Sequence, residues 1–186
     1  SNGVQQAKLI RGISHSSMSQ DEYGKNVSLS EDGNYAIIGS NKLVGGNRGY
    51  IHFWTRSGTT WTRGQTLQRT GGHSAEGRGF GDHVVMSADG TIAIAPAMMD
   101  IHPTGGASMS TGVVYLFTRT GSTWTQYSTL FTTGGNIIND MRFGSSVDIS
   151  KDNNYIVVGA SQQKAIYIFT NDGSGNFTQT QKTIPS

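Results

Sequence analysis

Apolar and polar residues alternate along this chain in short runs, and turn-forming dipeptides interrupt the runs at regular intervals. Three segments superpose slot by slot: YGKNVSLSEDGNYAIIGS (Tyr23 to Ser40), FGDHVVMSADGTIAIAPA (Phe80 to Ala97) and FGSSVDISKDNNYIVVGA (Phe143 to Ala160). Each opens on an aromatic–Gly pair, alternates with the period of a strand, and turns at Asp32-Gly33, Asp89-Gly90 or Asp152-Asn153. Such dipeptides predict hairpins of type I′, with positive φ at both central positions. A second set of segments follows each first one: GYIHFWTRSGTTWT (Gly49 to Thr62), GVVYLFTRTGSTWT (Gly112 to Thr125) and AIYIFTNDGSGNFT (Ala165 to Thr178). Each reads as strand, glycine turn, strand.

The predicted unit is therefore a four-stranded meander, A to D, repeated three times. Val27, Val84 and Val147 share one slot in strand A. Ile37, Ile94 and Val157 share one in strand B, and Phe53, Leu116 and Ile168 one in strand C. Apolar residues on both parities of strands B and C require burial on both faces. Sheets stacked face to face around an axis supply it. The aromatic slot of Trp61, Trp124 and Phe177 opens strand D and is expected in the core. The expected fold is all-β, with antiparallel blades of β-propeller type over residues 23–68, 80–131 and 143–184. Residues 3–10 are expected to be an additional outer strand.

Composition agrees. The 186 residues include 26 Gly but only 3 Pro, and 14% are charged, against about 25% in typical domains. Net charge is +2 and the arginines are scattered, so no basic stripe marks a nucleic-acid partner. Cysteine is absent, which removes disulfides, thiol nucleophiles and cysteine-ligated zinc. No apolar run approaches the 18 residues of a membrane span.

The aromatic–Gly openings at Tyr23-Gly24, Phe80-Gly81 and Phe143-Gly144 resemble the FG-GAP repeats of integrin alpha subunits. So do the small-residue ends at Gly39-Ser40, Ala95-Pro96-Ala97 and Gly159-Ala160. That resemblance implies a non-enzymatic binding or adhesion module, extracellular or on a cell or virion surface, with a protein or glycan ligand. The alternative is a structural subunit that assembles through its edge strands, as a homo-oligomer or part of a larger assembly. Family members often carry a calcium loop between strands A and B. Here each such loop keeps a single Asp, Asp32, Asp89 or Asp152, read as a turn residue and short of the 6 to 8 oxygens calcium takes. No metal and no cofactor is expected.

Chemistry is sparse. None of the five histidines forms an HxxxH or HExxH pair, and no GxSxG elbow is present. Gly77 to Gly81 mimics a phosphate loop but precedes a strand rather than a helix. Asp100 and His102, in the long B–C loop of the second repeat, are the one carboxylate–histidine pair with a plausible geometry. The D–A and B–C connections are long and varied, and such loops concentrate binding residues. The candidate ligand contacts there are His73, Glu76, Arg78, Asp100, His102, Asn136, Asn139, Asp140 and Arg142.

Overall fold

The computed structural model describes residues 5–10, 22–41, 49–70, 79–103, 110–133 and 137–184. They form three four-stranded antiparallel sheets. The first contains β1 (Val27–Leu29), β2 (Tyr35–Ser40), β3 (Tyr50–Ser57) and β4 (Thr60–Leu67). The second contains β5 (Val85–Met86), β6 (Ile92–Ala97), β7 (Val113–Thr120) and β8 (Thr123–Leu130). The third contains β9 (Phe143–Ile149), β10 (Tyr155–Ala160), β11 (Ala165–Asn171) and β12 (Phe177–Thr183). Each sheet pairs its strands in chain order, so the meander expected from the repeat is the one formed.

The local chemistry of the A–B turns recurs in every blade. The Ser30 hydroxyl donates to Asp32 Oδ1 at 2.6 Å, and the same carboxylate accepts from the Asn34 N–H at 2.9 Å. Ser87–Asp89–Thr91 and Ser150–Asp152–Asn154 repeat that arrangement. The turn is not of type I′. Its hydrogen bond runs from the Gly33 N–H to the Ser30 carbonyl, and positive φ falls on Gly33, Gly90 and Asn153 but not on the preceding Asp. The serine and aspartate side chains satisfy the loop backbone themselves, so one left-handed residue suffices.

Burial on both faces comes from stacking. Ile37, Ile51 and Phe53 of the first blade pack on Val84, Phe117 and Trp124 of the second, and the Phe53 and Trp124 rings stack with centroids 4.3 Å apart. Ile94, Val114 and Leu116 of the second blade pack on Phe143, Ile156 and Phe169 of the third. Trp124 is 2% exposed and Phe177 8%, so strand D opens in the core in the second and third blades, whereas Trp61 in the same slot of the first blade is only half-buried. The innermost strands converge: β1 lies against β5, and β5 against β9. A shared axis therefore runs beside β1, β5 and β9.

Residues 5–10 belong to none of the sheets. Leu9 packs instead against Ala36, Ile38 and Trp54 on the first blade.

Candidate functional site

Two polar clusters lie at the end of the blades that carries the D–A and B–C connections. The first is buried. Asp100 follows β6, is fully buried, and accepts a 2.6 Å hydrogen bond from the Tyr115 hydroxyl. Arg69, which leaves the first blade after β4, places its Nε 3.2 Å from the same carboxylate oxygen. The other oxygen accepts from the Ile101 N–H. Burial pushes the Tyr115 phenol up, and its hydrogen bond to the Asp100 carboxylate adds to the shift. That phenol stays protonated and donating. A carboxylate held by a guanidinium, a phenol and an amide has its lone pairs committed, so the cluster locks the first blade to the second.

His102 is 2% exposed and turns the other way: its Nε2 lies 2.9 Å from the Thr132 carbonyl, and its ring meets Phe131 edge-on at 5.1 Å. The structure thus does not bring Asp100 and His102 together. Asn139 accepts from the Ser110 N–H through Oδ1. Asp140 lies 3.4 Å from Arg142 Nε, and both adopt positive φ on the exposed D–A connection of the third blade. His73, Glu76, Arg78 and Asn136 lie outside the described residues.

The second cluster sits where the inner strands begin. Lys25 Nζ lies 2.7 Å from Glu22 Oε2 and 2.9 Å from Asp82 Oδ1. The Glu22 and Asp82 hydrogen bonds hold the Lys25 ammonium above its ordinary value, so it carries its charge at neutral pH. The side chains keep access to solvent, 39% for Lys25 and 16% for Asp82. Ser145 takes the same slot in the third blade, where its Oγ accepts from the Ser161 N–H. A fixed cation beside a carboxylate at the start of the inner strands can bind an anionic or hydroxyl-rich ligand and orient water. Loop length and variability drew sequence reasoning elsewhere. The available signal was the slot after each aromatic–Gly pair, which holds Lys25 in one repeat and Asp82 in the next. Among the described residues, no group of three or more His, Asp or Glu could hold a metal ion.

No family model matches the chain, and no curated protein matches its sequence. Solved structures do resemble it. One is a candidate 6-phosphogluconolactonase from Bacteroides fragilis, with 19% identity over 82% of this chain and 36% of that one, at a TM-score of 0.55. A second, from Bacteroides uniformis, has 16% identity over 86% and 40% at 0.56. A protein from Lactobacillus plantarum has 12% identity over 88% and 42%, also at 0.56. The fold is that of a blade-type propeller. The chain spans about 36% to 42% of the length of these structures.

These likenesses overturn the FG-GAP resemblance: the neighbours are lactonase-type propellers, and no FG-GAP model matches. The motif has a local cause. Gly81 has φ +84°, and a Cβ there would lie 2.7 Å from the Tyr50 carbonyl oxygen and 2.8 Å from that of Ser40. Phe80 beside it is 1% exposed at the interface of two blades. An aromatic anchor followed by a glycine is what tight entry into a stacked blade demands. The adhesion or virion-surface reading fell with the family, as did its alternative of a structural subunit joined by edge strands.

Proposed function

We propose that these blades belong to a hydrolase acting on a sugar lactone, with the substrate held at the axial mouth by Lys25 and Asp82. The reading is supported by the ion pair at the start of the inner strands, 2.9 Å across and open to solvent. Two candidate 6-phosphogluconolactonases share the fold around it. In lactone hydrolysis a water oxygen bonds to the carbonyl carbon, and the bond from that carbon to the ring oxygen breaks. The ring oxygen leaves as an alcohol with a proton from the medium, and the product is a hydroxy acid. Negative charge develops on the carbonyl oxygen, and a preorganised cation stabilises it in the transition state. Lys25 supplies that cation, and Asp82 accepts hydrogen bonds from the attacking water or the sugar hydroxyls.

The test is hydrolysis of glucono-δ-lactone and of its 6-phosphate, followed by acid release against the spontaneous rate in the same buffer. The expected result is acceleration of at least one lactone that falls in Lys25→Ala and Asp82→Asn, with circular dichroism unchanged. A rate equal to that of buffer for both lactones would remove the proposal.

A further inference from the structure

The three inner strands begin on the same turn. The N–H groups of Lys25, Asp82 and Ser145 donate to the carbonyls of Glu22, Gly79 and Arg142, at 3.0, 3.1 and 3.0 Å. The third residue of each turn is a glycine with positive φ: Gly24, Gly81 and Gly144. The lead residue is left-handed as well, with φ of +49° at Glu22, +84° at Gly79 and +54° at Arg142. That backbone suits glycine and strains any residue with a Cβ. The second blade uses glycine there. The first and third keep a long charged side chain against the strain, and strain of this kind collects where a side chain has a task.

For Glu22 the task is visible: it holds Lys25, the fourth residue of its own turn, at 2.7 Å. In the third blade the same two positions carry Arg142 and Ser145. Ser145 Oγ accepts from the Ser161 N–H, which leaves its O–H to donate. Arg142 Nε lies 3.4 Å from Asp140 Oδ1, and the two side chains are 37% and 51% exposed. An ion pair so long and so exposed contributes little, and a guanidinium carries five N–H donors. The lead position also stays open when a blade follows, since Glu22 keeps 44% exposure with the second blade beside it. The inner strands of the second and third blades lie side by side. Arg142 and Ser145 therefore follow Asp82 around the axis, at the end of the strands where Lys25 sits.

We propose that Arg142 and Ser145 bind a phosphate group on the ligand, which makes a phosphorylated sugar lactone the preferred substrate over the neutral one. The sugar part of this proposal rests on the reading of Lys25 and Asp82 as the lactone site. A guanidinium donates two parallel hydrogen bonds to a phosphate, and the serine hydroxyl adds a third. Arg142 is then a specificity-determining residue, holding a part of the substrate that does not react. Asp140 competes with the phosphate for the same guanidinium.

Calorimetric titration of the protein with 6-phosphogluconate and with gluconate, in buffer free of phosphate, tests this. The phosphorylated acid is expected to bind about tenfold tighter or more, because charge-assisted hydrogen bonds separate the two. Arg142→Gly suits the left-handed turn, and it is expected to remove most of that preference. Arg142→Lys keeps the charge but not the planar fork, and is expected to restore only part of it. Asp140→Asn keeps a residue that tolerates the backbone and removes the competing carboxylate, so 6-phosphogluconate should bind tighter. Thr123→Ala, on the exposed turn of the second blade, leaves both affinities unchanged, and thermal melts establish that every variant folds. Equal affinities in the unsubstituted protein, binding of neither acid, or a preference that survives Arg142→Gly would each overturn the proposal. Absence of lactone hydrolysis with the preference intact would remove the lactone reading alone and support the phosphate site.

Discussion

Arg119 of the second blade lies over the Tyr35 ring of the first, 3.8 Å from its centroid, while its Nε donates to the Gly90 carbonyl of its own blade. One side chain thereby closes an A–B turn and joins two sheets. Arg119→Ala removes these interactions together with the 2.8 Å hydrogen bond from Nη1 to the Gly121 carbonyl. The expected cost is about 2 kcal/mol, from a partly desolvated cation–π contact and a charged hydrogen bond. Arg119→Lys keeps the charge but not the planar fork, and is expected to recover less than half of it. Urea midpoints of the two variants check the ordering.

The buried Asp100 cluster gives a larger effect. Asp100→Ala leaves Arg69, 10% exposed, facing a site without its counter-charge. Removing one partner of a buried pair costs about 3–5 kcal/mol. Tyr115→Phe removes one hydrogen bond to the same carboxylate and is expected to cost about 1.5–3 kcal/mol. The order Asp100→Ala above Tyr115→Phe should appear in denaturant titrations. Lactone turnover by the folded Tyr115→Phe protein should be unchanged.

Two glycines with nearly the same backbone separate strain from packing. Gly24 and Gly81 have φ of +88° and +84°. A Cβ on Gly24 meets nothing within 4 Å, whereas one on Gly81 meets the Tyr50 and Ser40 carbonyls. Gly24→Ala should cost about 1 kcal/mol of backbone strain. Gly81→Ala should cost at least 2 kcal/mol more, by analogy with overpacking. Equal melting temperatures for the two variants would mean that blade entry is not tightly packed.

Stability should fall in acid for a reason visible in the turns. The Ser30 hydroxyl, then the Asn34 N–H, hold the Asp32 carboxyl below its usual range; Ser150 and Asn154 do the same for Asp152. A carboxyl depressed in the folded state contributes stability that is present above its unfolded value, about 3.9. That contribution is lost as pH drops through the folded value. Urea midpoints should be flat from pH 7 to about 5 and decline below about 4. Ser30→Ala combined with Ser150→Ala should make that decline shallower.

The repeat made the fold legible. Residues sharing a slot share a place in the blade, so Trp124 and Phe177 are both buried, while Val27, in the slot of the buried Val84, is exposed on the first blade; a sequence can be compared with itself without any relative. The clusters were harder to see. Arg69 and Asp100 meet from different blades, and Thr132 holds His102 from another connection, so neighbours in sequence turned to opposite partners. The Lys25–Asp82 pair was present as a slot of alternating charge, but the inner strands hold few residues and loop length was the louder signal. The aromatic–Gly motif was legible as geometry and misleading as kinship, because close blade entry alone calls for it.

The measurement that bears most directly on the central claim is a titration of isotope-labelled protein with 6-phosphogluconate, the hydrolysis product of the phosphorylated lactone, read by amide chemical shifts. An axial site predicts the largest shifts at residues 24–26 and 81–83, around Lys25 and Asp82, with loss of the response in Lys25→Ala. Shifts confined to the B–C loops, or none at millimolar ligand, would contradict an axial sugar-acid site.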